Sequence, residues 1–312
     1  MIWIAVDAMG GDFAPRHVVD GGLAAARDFD LGVTLVGRAA AIEAELARHA
    51  RVDTSRVRVV DAPDVVAMEE SPSAALRKKP GASIKVAAEV VARGEAAALF
   101  SAGHTGATVM AAHAAFGMLA GVDRPALAAT IPTRQRPAVL LDVGASVECR
   151  PRHLLQFAVM GSMYARVGLG IESPRVGLLS IGEEATKGNE LTRDAHQLLK
   201  SSLLGFIGNV EAGDVYSGLA DVIVCDGFTG NVALKISEGL VGMLVTHRTL
   251  RHVRRRMDYS EYGGAPLLGV AGVVIVGHGR SSARAVRNAV AMAHRFVTGR
   301  FIERVEREIA AA

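Results

Sequence analysis

Short polar loops that contain glycine recur along the chain, and each follows a run of apolar or β-branched residues. These loops read DAMGGD at 7–12, SAGHTG at 101–106, EEATKGNE at 183–190, DGFTGN at 226–231 and GHGRSS at 277–282. Glycine lets a backbone approach a ligand closely, and a helix that follows directs free N–H groups and its positive end towards the same point. Because several loops share this chemistry, we expect them to bind an anion, with phosphate the first choice.

Lys187 is the most distinctive charged residue in these loops. Only six of the 35 basic residues are lysines, and this one lies between Glu184 and Glu190 with a glycine beside it. A lysine in such a loop can bind phosphate or stabilise a developing oxyanion. The alternative is a solvated ion pair with a neighbouring glutamate, which contributes little. We favour the functional interpretation.

Two further loops each allow two alternative interpretations, one functional and one structural. Asp7, with Gly10 and Gly11, can place a carboxylate and a tight backbone at the site, or can form only a strand-to-helix turn. Asn231 can donate to an oxyanion or cap the helix that follows it, and Asp226 adds a carboxylate to the same loop.

The SAGHTG loop offers two hydroxyl groups and free backbone amides, which suit a phosphate nest. The hydroxyls belong to Ser101 and Thr105, and His104 lies between them. His104 can act as a general base or a ligand donor, although a single loop histidine is commonly just a hydrogen-bonded surface group.

Several classes of protein are excluded or disfavoured by composition and motif. With 312 residues, 50% of them hydrophobic, the chain is not intrinsically disordered, and its formal charge of +3 is weak support for nucleic acid as a partner. Histidines and the two cysteines lack metal-ligand spacing, and neither G-x-S-x-G nor G-x-G-x-x-G occurs. We therefore expect no metal, no redox cofactor and no serine nucleophile.

Cysteine use and apolar runs indicate the compartment. Two cysteines suggest a reducing cytosol, and the longest apolar stretch, at 266–276, is far below the roughly 20 residues that span a bilayer. We expect a cytoplasmic protein. Leu240, Met243, Leu244 and Val245, followed by five arginines within 247–256, form a segment that suits either an anionic membrane surface or a dimer contact.

A β-branched run, a polar loop and an Ala-rich helical pattern alternate along the chain. Predicted strands lie at 2–6, 97–100, 138–141, 176–181, 222–225 and 272–276, and the helix after DGFTGN is predicted to begin near Val232. This alternation indicates an α/β fold with a mainly parallel sheet covered by helices on both faces. The loops should then converge at the carboxyl ends of the strands.

Several of these loops match longer motifs of one known family, in a fixed order. The motifs are VDAMGGD, SAG–TGA, LLD–GA, RHLLQFAVMGSMYA, GLLSIGEEATKGNEL, GNVEAGD, DVIVCDGFTGNVALK and YGGAPLLG, spanning residue 1 to about 298. In these motifs the chain resembles the bacterial phosphate acyltransferase family.

The resemblance implies transfer of a fatty acyl group from acyl carrier protein to inorganic phosphate, giving acyl phosphate for phospholipid synthesis. It further implies a homodimer without cofactor, a peripheral membrane contact and a three-layer α/β/α fold similar to isocitrate and isopropylmalate dehydrogenases and phosphotransacetylases. Residues 1–312 would form one such domain, with a shortened helical hairpin at about 234–262. A phosphotransacetylase-like enzyme that uses acyl-CoA is the main alternative, and a nicotinamide-dependent dehydrogenase or a nucleic-acid binder are weaker ones.

The family's motifs also suggest roles for individual residues. Lys187 and Asn231 would be catalytic, in either order between phosphate and the oxyanion. The residues that would bind phosphate or substrate are Asp7, Gly10, Gly11, Ser101, Thr105, Asn189 and His278, joined by His104 and Asp226 from the loops themselves. The chain departs from the family pattern at His104 and Ser180, each in place of Asn, and at Ser146, Glu148 and Arg150, in place of Asn, Asp and Lys.

Overall fold

The computed structural model describes residues 1–50, 52–244 and 262–311, and the chain divides into two compact units. The first unit contains residues 1–117 and the described residues of 259–298. The second unit contains the described residues of 118–258 and of 299–312. The prediction of one enzyme domain over 1–312 stays a prediction.

The strands and helices alternate along most of the chain. The strands are β1 (Ile2–Asp7), β2 (Leu31–Gly37), β3 (Val57–Asp61), β4 (Ala98–Ser101), β5 (Ala126–Ile131), β6 (Ala138–Leu141), β7 (Val176–Leu179), β8 (Phe206–Val210), β9 (Val222–Val224), β10 (Ala265–Leu268) and β11 (Val273–Val276). The helices are α1 (Arg16–Asp28), α2 (Ala39–Leu46), α3 (Pro72–Lys78), α4 (Ser83–Ala92), α5 (Thr105–Phe116), α6 (Pro151–Leu169), α7 (Glu190–Ser201), α8 (Gly227–Leu244), α9 (Ala283–Thr298) and α10 (Phe301–Ala311).

In the first unit the strands lie in the order β3-β2-β1-β4-β11-β10. Neighbouring strands are parallel except for β10 and β11, and Ile4 of β1 pairs with Val33 on one side and Ala98 on the other. Every residue of β2, β4 and β11 is buried. Strands buried on both faces need a helical layer on each side, as the apolar runs predict.

Helices of the first unit pack in pairs against these strands, α1 with α9 and α4 with α5. Helix α1 comes very close to α9 at Gly21, where an added Cβ would lie 2.5 Å from the carbonyl oxygen of Ala283. A larger residue at position 21 would therefore push the two helices apart.

In the second unit the strand order is β5-β6-β9-β7-β8, with β5 antiparallel to β6 and the other neighbours parallel. The core centres on α6, which is buried through most of its length and packs against α7 and α10. A Cβ at Gly161 of α6 would lie 2.7 Å from a methyl group of Val222 in β9, so the helix rests directly on the sheet.

The predicted α/β fold with a mainly parallel sheet is confirmed. The strand at 138–141 has the predicted bounds, and the other five predicted strands differ by a residue or two at their ends. The helix expected near Val232 begins at Gly227 instead, which corrects that prediction. The sequence analysis did not identify β2, β3, β5, β8 or β10. Residues 245–261 of the expected helical hairpin, with the arginine run, lie outside the described residues.

Candidate active site

Three loops of the first unit meet at the carboxyl ends of β1, β4 and β11. Asp7 ends β1 and accepts a hydrogen bond at Oδ2 from the Ser101 hydroxyl, 2.7 Å away. Ser101 Oγ in turn accepts a hydrogen bond from the backbone N–H of Gly103 at 3.1 Å. The loop after β11 joins them, because the Asp12 N–H donates to the Gly279 carbonyl at 2.7 Å. The predicted convergence of the loops is confirmed for these three.

The Asp7 carboxyl group is enclosed by this network. Burial raises the pKa of Asp7, and hydrogen bonds from the Ser83 and Ser101 hydroxyls and from the Met9 backbone oppose that rise. The Met9 N–H lies 3.2 Å from Oδ1. The carboxyl group therefore links loops from several strands, and both of its oxygens are engaged in doing so.

Gly10 and Gly11 allow the loops to approach one another. A Cβ at Gly10 would lie 2.6 Å from the Gly103 nitrogen, and Gly11 has a φ of +104°, which favours glycine. Loop-to-loop contact thus explains both glycines. Their predicted role in binding substrate stays a prediction.

His104 caps the helix that Thr105 begins. Its Nδ1 accepts a hydrogen bond from the Gly106 N–H at 3.1 Å, so the neutral ring carries its proton on Nε2. An asparagine at a helix N-cap accepts the same kind of hydrogen bond through its side-chain oxygen. Histidine therefore makes the capping contact that an asparagine, the residue expected from the resemblance, would make. Within the described residues, the Thr105 hydroxyl has no hydrogen-bond partner.

His278 shapes the loop that follows β11. Its Nδ1 accepts a hydrogen bond from the Arg280 N–H at 3.1 Å, and its own N–H donates to Ser281 Oγ at 3.1 Å. Because Gly279 of the same turn contacts the Asp12 N–H, His278 lies in the cluster of loops around Asp7.

A cavity of about 160 Å³, partly open to solvent, lies among these loops. Its polar wall comes from the loops after β1 and β4 and includes Asp7 and His104. Its apolar wall comes from the segment after β3, from α4 and from α5. The segment after β3 was not predicted to belong to the site, although Val65, Val66 and Met68 in a loop bounded by prolines were a usable signal.

In the second unit, Asn231 lies inside the first turns of α8. Asp226 caps this helix, since its Oδ1 and Oδ2 accept hydrogen bonds from the N–H and hydroxyl of Thr229 at 2.9 and 2.7 Å. The capping interpretation of Asn231 is therefore wrong. Its Nδ2 instead donates to the Val143 carbonyl, 3.0 Å away in the loop after β6.

Asp142, which the sequence analysis did not select as a site residue, organises that neighbouring loop. It is fully buried, and its Oδ1 accepts hydrogen bonds from the N–H groups of Leu127, Gly144 and Ala145 at 2.8 to 3.0 Å. Burial raises the pKa of Asp142, and these backbone hydrogen bonds oppose the rise. An aspartate two residues before a glycine at a strand end was the available signal, because it favours an Asx turn. Asp142 thereby positions the Val143 carbonyl, which accepts the hydrogen bond from Asn231.

Lys187 stands apart from these networks. Its stem packs over Gly182, where an added Cβ would lie 2.9 Å from Lys187 Cγ, and its backbone N–H donates to the Glu184 carbonyl at 3.0 Å. The side chain is exposed, and among the described residues its ammonium group makes no hydrogen bond or ion pair. The ion pair considered as an alternative does not form with the neighbouring glutamates.

The loop that carries Lys187 is tied at both ends. Asn189 caps α7, with its Oδ1 accepting the Thr192 N–H at 2.9 Å. Asn209, at the end of β8, donates through Nδ2 to the Glu184 carbonyl at 2.9 Å and contacts His196. Ser180, where the resemblance leads us to expect asparagine, has a buried hydroxyl oxygen without a hydrogen-bond partner in the described part of the chain.

The described residues contain no group of three or more His, Cys, Asp or Glu side chains that could hold a metal. The cysteines do not supply a nucleophile either. Burial raises the pKa of Cys149 to about 11 and that of Cys225 well above its ordinary value, so both remain thiols at neutral pH.

Solved structures share the fold of this chain, and sequence relatives show its family. The fold is that of a solved phosphotransacetylase from Streptococcus pyogenes, with a TM-score of 0.70, 17% identity and coverage of 96% of this chain and 94% of that one. An isocitrate dehydrogenase from Methylococcus capsulatus aligns with a TM-score of 0.52 at 10% identity, covering 98% of this chain and 88% of the other.

Sequence relatives are much closer. A family model described as "Fatty acid synthesis protein" matches residues 2–247 and 240–304. A phosphate acyltransferase of Desulforudis audaxviator is 51% identical over 311 residues, covering 93% of this chain and 91% of the relative. One of Heliobacterium modesticaldum is 49% identical, with 98% and 97% covered. The chain belongs to the phosphate acyltransferase family, which confirms the expected enzyme class.

Proposed function

We propose that the protein transfers a fatty acyl group from acyl carrier protein to inorganic phosphate, and that the acyl phosphate is used in phospholipid synthesis. The observation that carries the proposal is the match to phosphate acyltransferases over more than nine-tenths of both chains. The carrier protein and the further use of the product are proposed from the family resemblance.

The proposed reaction needs no covalent enzyme intermediate. A phosphate oxygen attacks the thioester carbonyl carbon, the carbonyl oxygen carries the negative charge of the tetrahedral intermediate, and the C–S bond then breaks. The carrier's thiolate leaves and takes up a proton, so that one acyl phosphate and one thiol result. The protein contributes by orienting the reactants and by stabilising the oxyanion.

Lys187 is proposed to supply positive charge for this step. Its ammonium group has no partner among the described residues, and its stem is held against Gly182. A cation that is held in place but not neutralised can interact with phosphate or with the developing oxyanion.

Asn231 is proposed as the polar partner of this step. One of its two amide hydrogens is directed to the Val143 carbonyl, which orients the side chain and leaves the second hydrogen for substrate. In the same proposal Asn189 and Asp226 shape the loops on which the reaction takes place, and Asp7, Gly10, Gly11, Ser101, His104, Thr105 and His278 build the loops that hold substrate.

The assay is direct. The purified protein is incubated with phosphate and a palmitoyl thioester of acyl carrier protein, and the acyl phosphate is trapped with hydroxylamine as a hydroxamate. We expect hydroxamate only when phosphate is present. The same assay with palmitoyl-CoA separates the alternative, because a phosphotransacetylase-like enzyme would prefer coenzyme A as carrier. No product with either thioester would reject acyl transfer to phosphate.

We also propose a homodimer in which α8 contacts a second copy. Phe228, Val232, Ile236 and Leu240 follow one another at intervals of four residues, and each is exposed. Residues spaced in this way share one side of a helix, and exposed apolar faces of this kind mark interaction surfaces. Light scattering during gel filtration should give twice the mass of the chain. Ile236→Asp should shift the protein to the monomer mass.

The proposed location is the cytoplasm, with peripheral contact at an anionic membrane. No described helix is both long and apolar enough to cross a bilayer. The arginines of 247–256 would add about 1 kcal/mol each near an anionic surface, which gives a weak and salt-sensitive interaction. Flotation with phosphatidylglycerol vesicles at low and high salt tests this, and absence of flotation at low salt would reject it.

A further inference from the structure

The cavity of the first unit has walls of opposite character. One wall is polar and comes from the loops after β1 and β4, including Asp7, Asp12 and His104. The other wall is mainly apolar and includes Val66, Met68, Ile84 and Ala107, with Ser83 as a polar member that faces Asp7. Such a cavity suits a ligand that has both a polar group and a hydrocarbon part.

The polar wall is poorly suited to free phosphate. Asp7 and Asp12 both contribute to it, and no lysine or arginine lies among the described residues that line the cavity. A doubly charged anion would meet carboxyl groups there without a compensating cation. This wall therefore disfavours a free phosphate ion, and the lining offers a ligand mainly its apolar side.

The apolar wall has a buried part and an exposed part. Ala107 and Ile84 are 1% and 4% exposed, whereas Met68 is 55% exposed and is therefore the part of this wall that faces solvent. The cavity of about 160 Å³ is similar in size to an engineered apolar cavity of about 150 Å³ that holds benzene, so it has room for roughly six carbons. A longer chain would leave the cavity past Met68.

The segment that carries Val66 and Met68 is held in place by an ion pair. Lys79 Nζ donates to the Glu70 carboxylate at 2.6 Å and to the Val65 carbonyl at 2.7 Å. Glu70 also accepts the Ala67 N–H at 2.8 Å. The apolar wall is therefore a defined surface rather than a loose loop.

We propose that this cavity binds the hydrocarbon chain of the acyl thioester, with Ala107 and Ile84 limiting its depth and Met68 guiding longer chains outwards. This inference rests on the proposed function, since it names where the acyl part of that substrate lies. It makes Ala107 and Met68 specificity-determining residues for chain length and shape.

The test uses two variants with matched controls on the same helix or surface. Ala107→Leu fills the buried end, and Ala111→Leu adds the same bulk one turn further along α5, at a buried residue that does not line the cavity. Met68→Lys places a charge at the opening. Met110→Lys does so at an exposed methionine of α5 that also lies outside the lining.

Binding is measured with methyl cis-parinarate, an uncharged fluorescent fatty acyl ester, so that the readout does not depend on turnover and the probe brings no carboxylate to Asp7 and Asp12. We expect Ala107→Leu and Met68→Lys each to weaken binding about tenfold or more, because either excludes or repels several methylene groups. The two control variants should bind as the parent does. Palmitoyl acyl carrier protein should displace the probe from the parent protein.

Equal binding by Met68→Lys and Met110→Lys would overturn the inference, and so would displacement by free palmitate but not by palmitoyl acyl carrier protein. Met68→Lys keeps the test decisive even if Ala107→Leu does not fold. Failure of the proposed function gives a different result from failure of this inference. In that case the parent forms no acyl phosphate, while binding of the probe still differs between the variants and their controls.

Discussion

The loops around Asp7 and the loop that carries Lys187 both follow parallel strands, yet they use their polar groups in opposite ways. Around Asp7, the polar side chains of Ser101, His104 and His278 accept or donate hydrogen bonds within the loops themselves. Around Lys187, the backbone is held by hydrogen bonds, while the ammonium group makes no hydrogen bond or ion pair with the described residues. The first arrangement stabilises structure, whereas the second leaves a charge available for a ligand.

This comparison separates two kinds of mutational effect. Substitutions in the Asp7 network should lower stability more than they lower turnover. Substitution of Lys187 should lower turnover and leave stability unchanged.

Lys187→Ala should reduce the rate of acyl phosphate formation about 10²–10³-fold, as loss of one contact to an oxyanion or phosphate commonly does. Its melting temperature should equal that of the parent, since an exposed charge without a partner adds little stability. Lys200→Ala, at another exposed lysine, is the matched control and should keep full activity. A turnover within a few-fold of the parent would remove Lys187 from the catalytic step.

Asn231→Asp should leave a folded protein with activity reduced about 10²-fold or more. The change removes the amide that donates to the Val143 carbonyl and places a negative charge where phosphate should approach. Asn231→Gln, which keeps an amide on a longer stem, should recover part of kcat. Near-normal activity of the aspartate variant at ordinary phosphate concentration would contradict the proposed role.

Asp7→Asn should destabilise the protein by about 1–3 kcal/mol, because the amide group turns one acceptor into a donor facing other donors. The Ser101 hydroxyl or the Met9 N–H would lose its partner. Urea unfolding measures the loss, and turnover at a temperature where the variant is folded should stay within tenfold of the parent. A fall in kcat as large as that of Lys187→Ala would break the distinction between the two regions.

Asp221 provides a pH test that should leave activity untouched. Burial would raise the pKa of Asp221, but hydrogen bonds from Arg175 and Arg136 lower it from 3.8 to about 2. Because the folded-state pKa is depressed, the stabilisation is present above the ordinary value of 3.8 and is lost as pH falls through about 2.

Unfolding measured from pH 5 down to pH 2 should therefore show a loss of stability in the parent that is smaller in Asp221→Asn. The asparagine variant should be less stable than the parent at neutral pH, where the carboxylate of the parent is paired with both arginines. Parallel curves for the two proteins across this range would exclude the Asp221 contribution.

The sequence predicted the fold best where a strand is buried on both faces and ends in a polar loop. Strand β6 and the loop LLDVGAS illustrate this, since four apolar residues bounded by aspartate and glycine give a clear pattern. Strands β5 and β10 were missed because they are antiparallel and lack such a loop at their carboxyl ends. Local periodicity does not reveal which strand a chain segment will pair with.

The residue types that form the site were easier to predict from the sequence than the contacts between them. Glycines at 227 and 230 suggested a loop, because glycine is a poor helix former. The chain is nevertheless helical there, and the two glycines serve a close contact instead. A Cβ at Gly227 would lie 2.6 Å from Asp142 Oδ2, and one at Gly230 would overlap the Asp142 carbonyl oxygen. Long-range contact with Asp142, 85 residues away from Gly227 in the chain, overrides the local preference.

Residues 65–80, which carry Val66 and Met68, leave and re-enter the body of the first unit at nearly one point. Asp64 and Gly81 are joined by a hydrogen bond of 3.1 Å, and the Ser83 N–H donates to the Asp64 carbonyl at 3.0 Å. Because hydrogen bonds join the two ends of this segment, its interior residues can be replaced while its attachment points stay the same. Exchange of residues 65–80 in the laboratory should thus leave β3 and α4 at the two attachment points in place, and under the proposed binding mode it would change chain-length preference without changing the loops after β1 and β4.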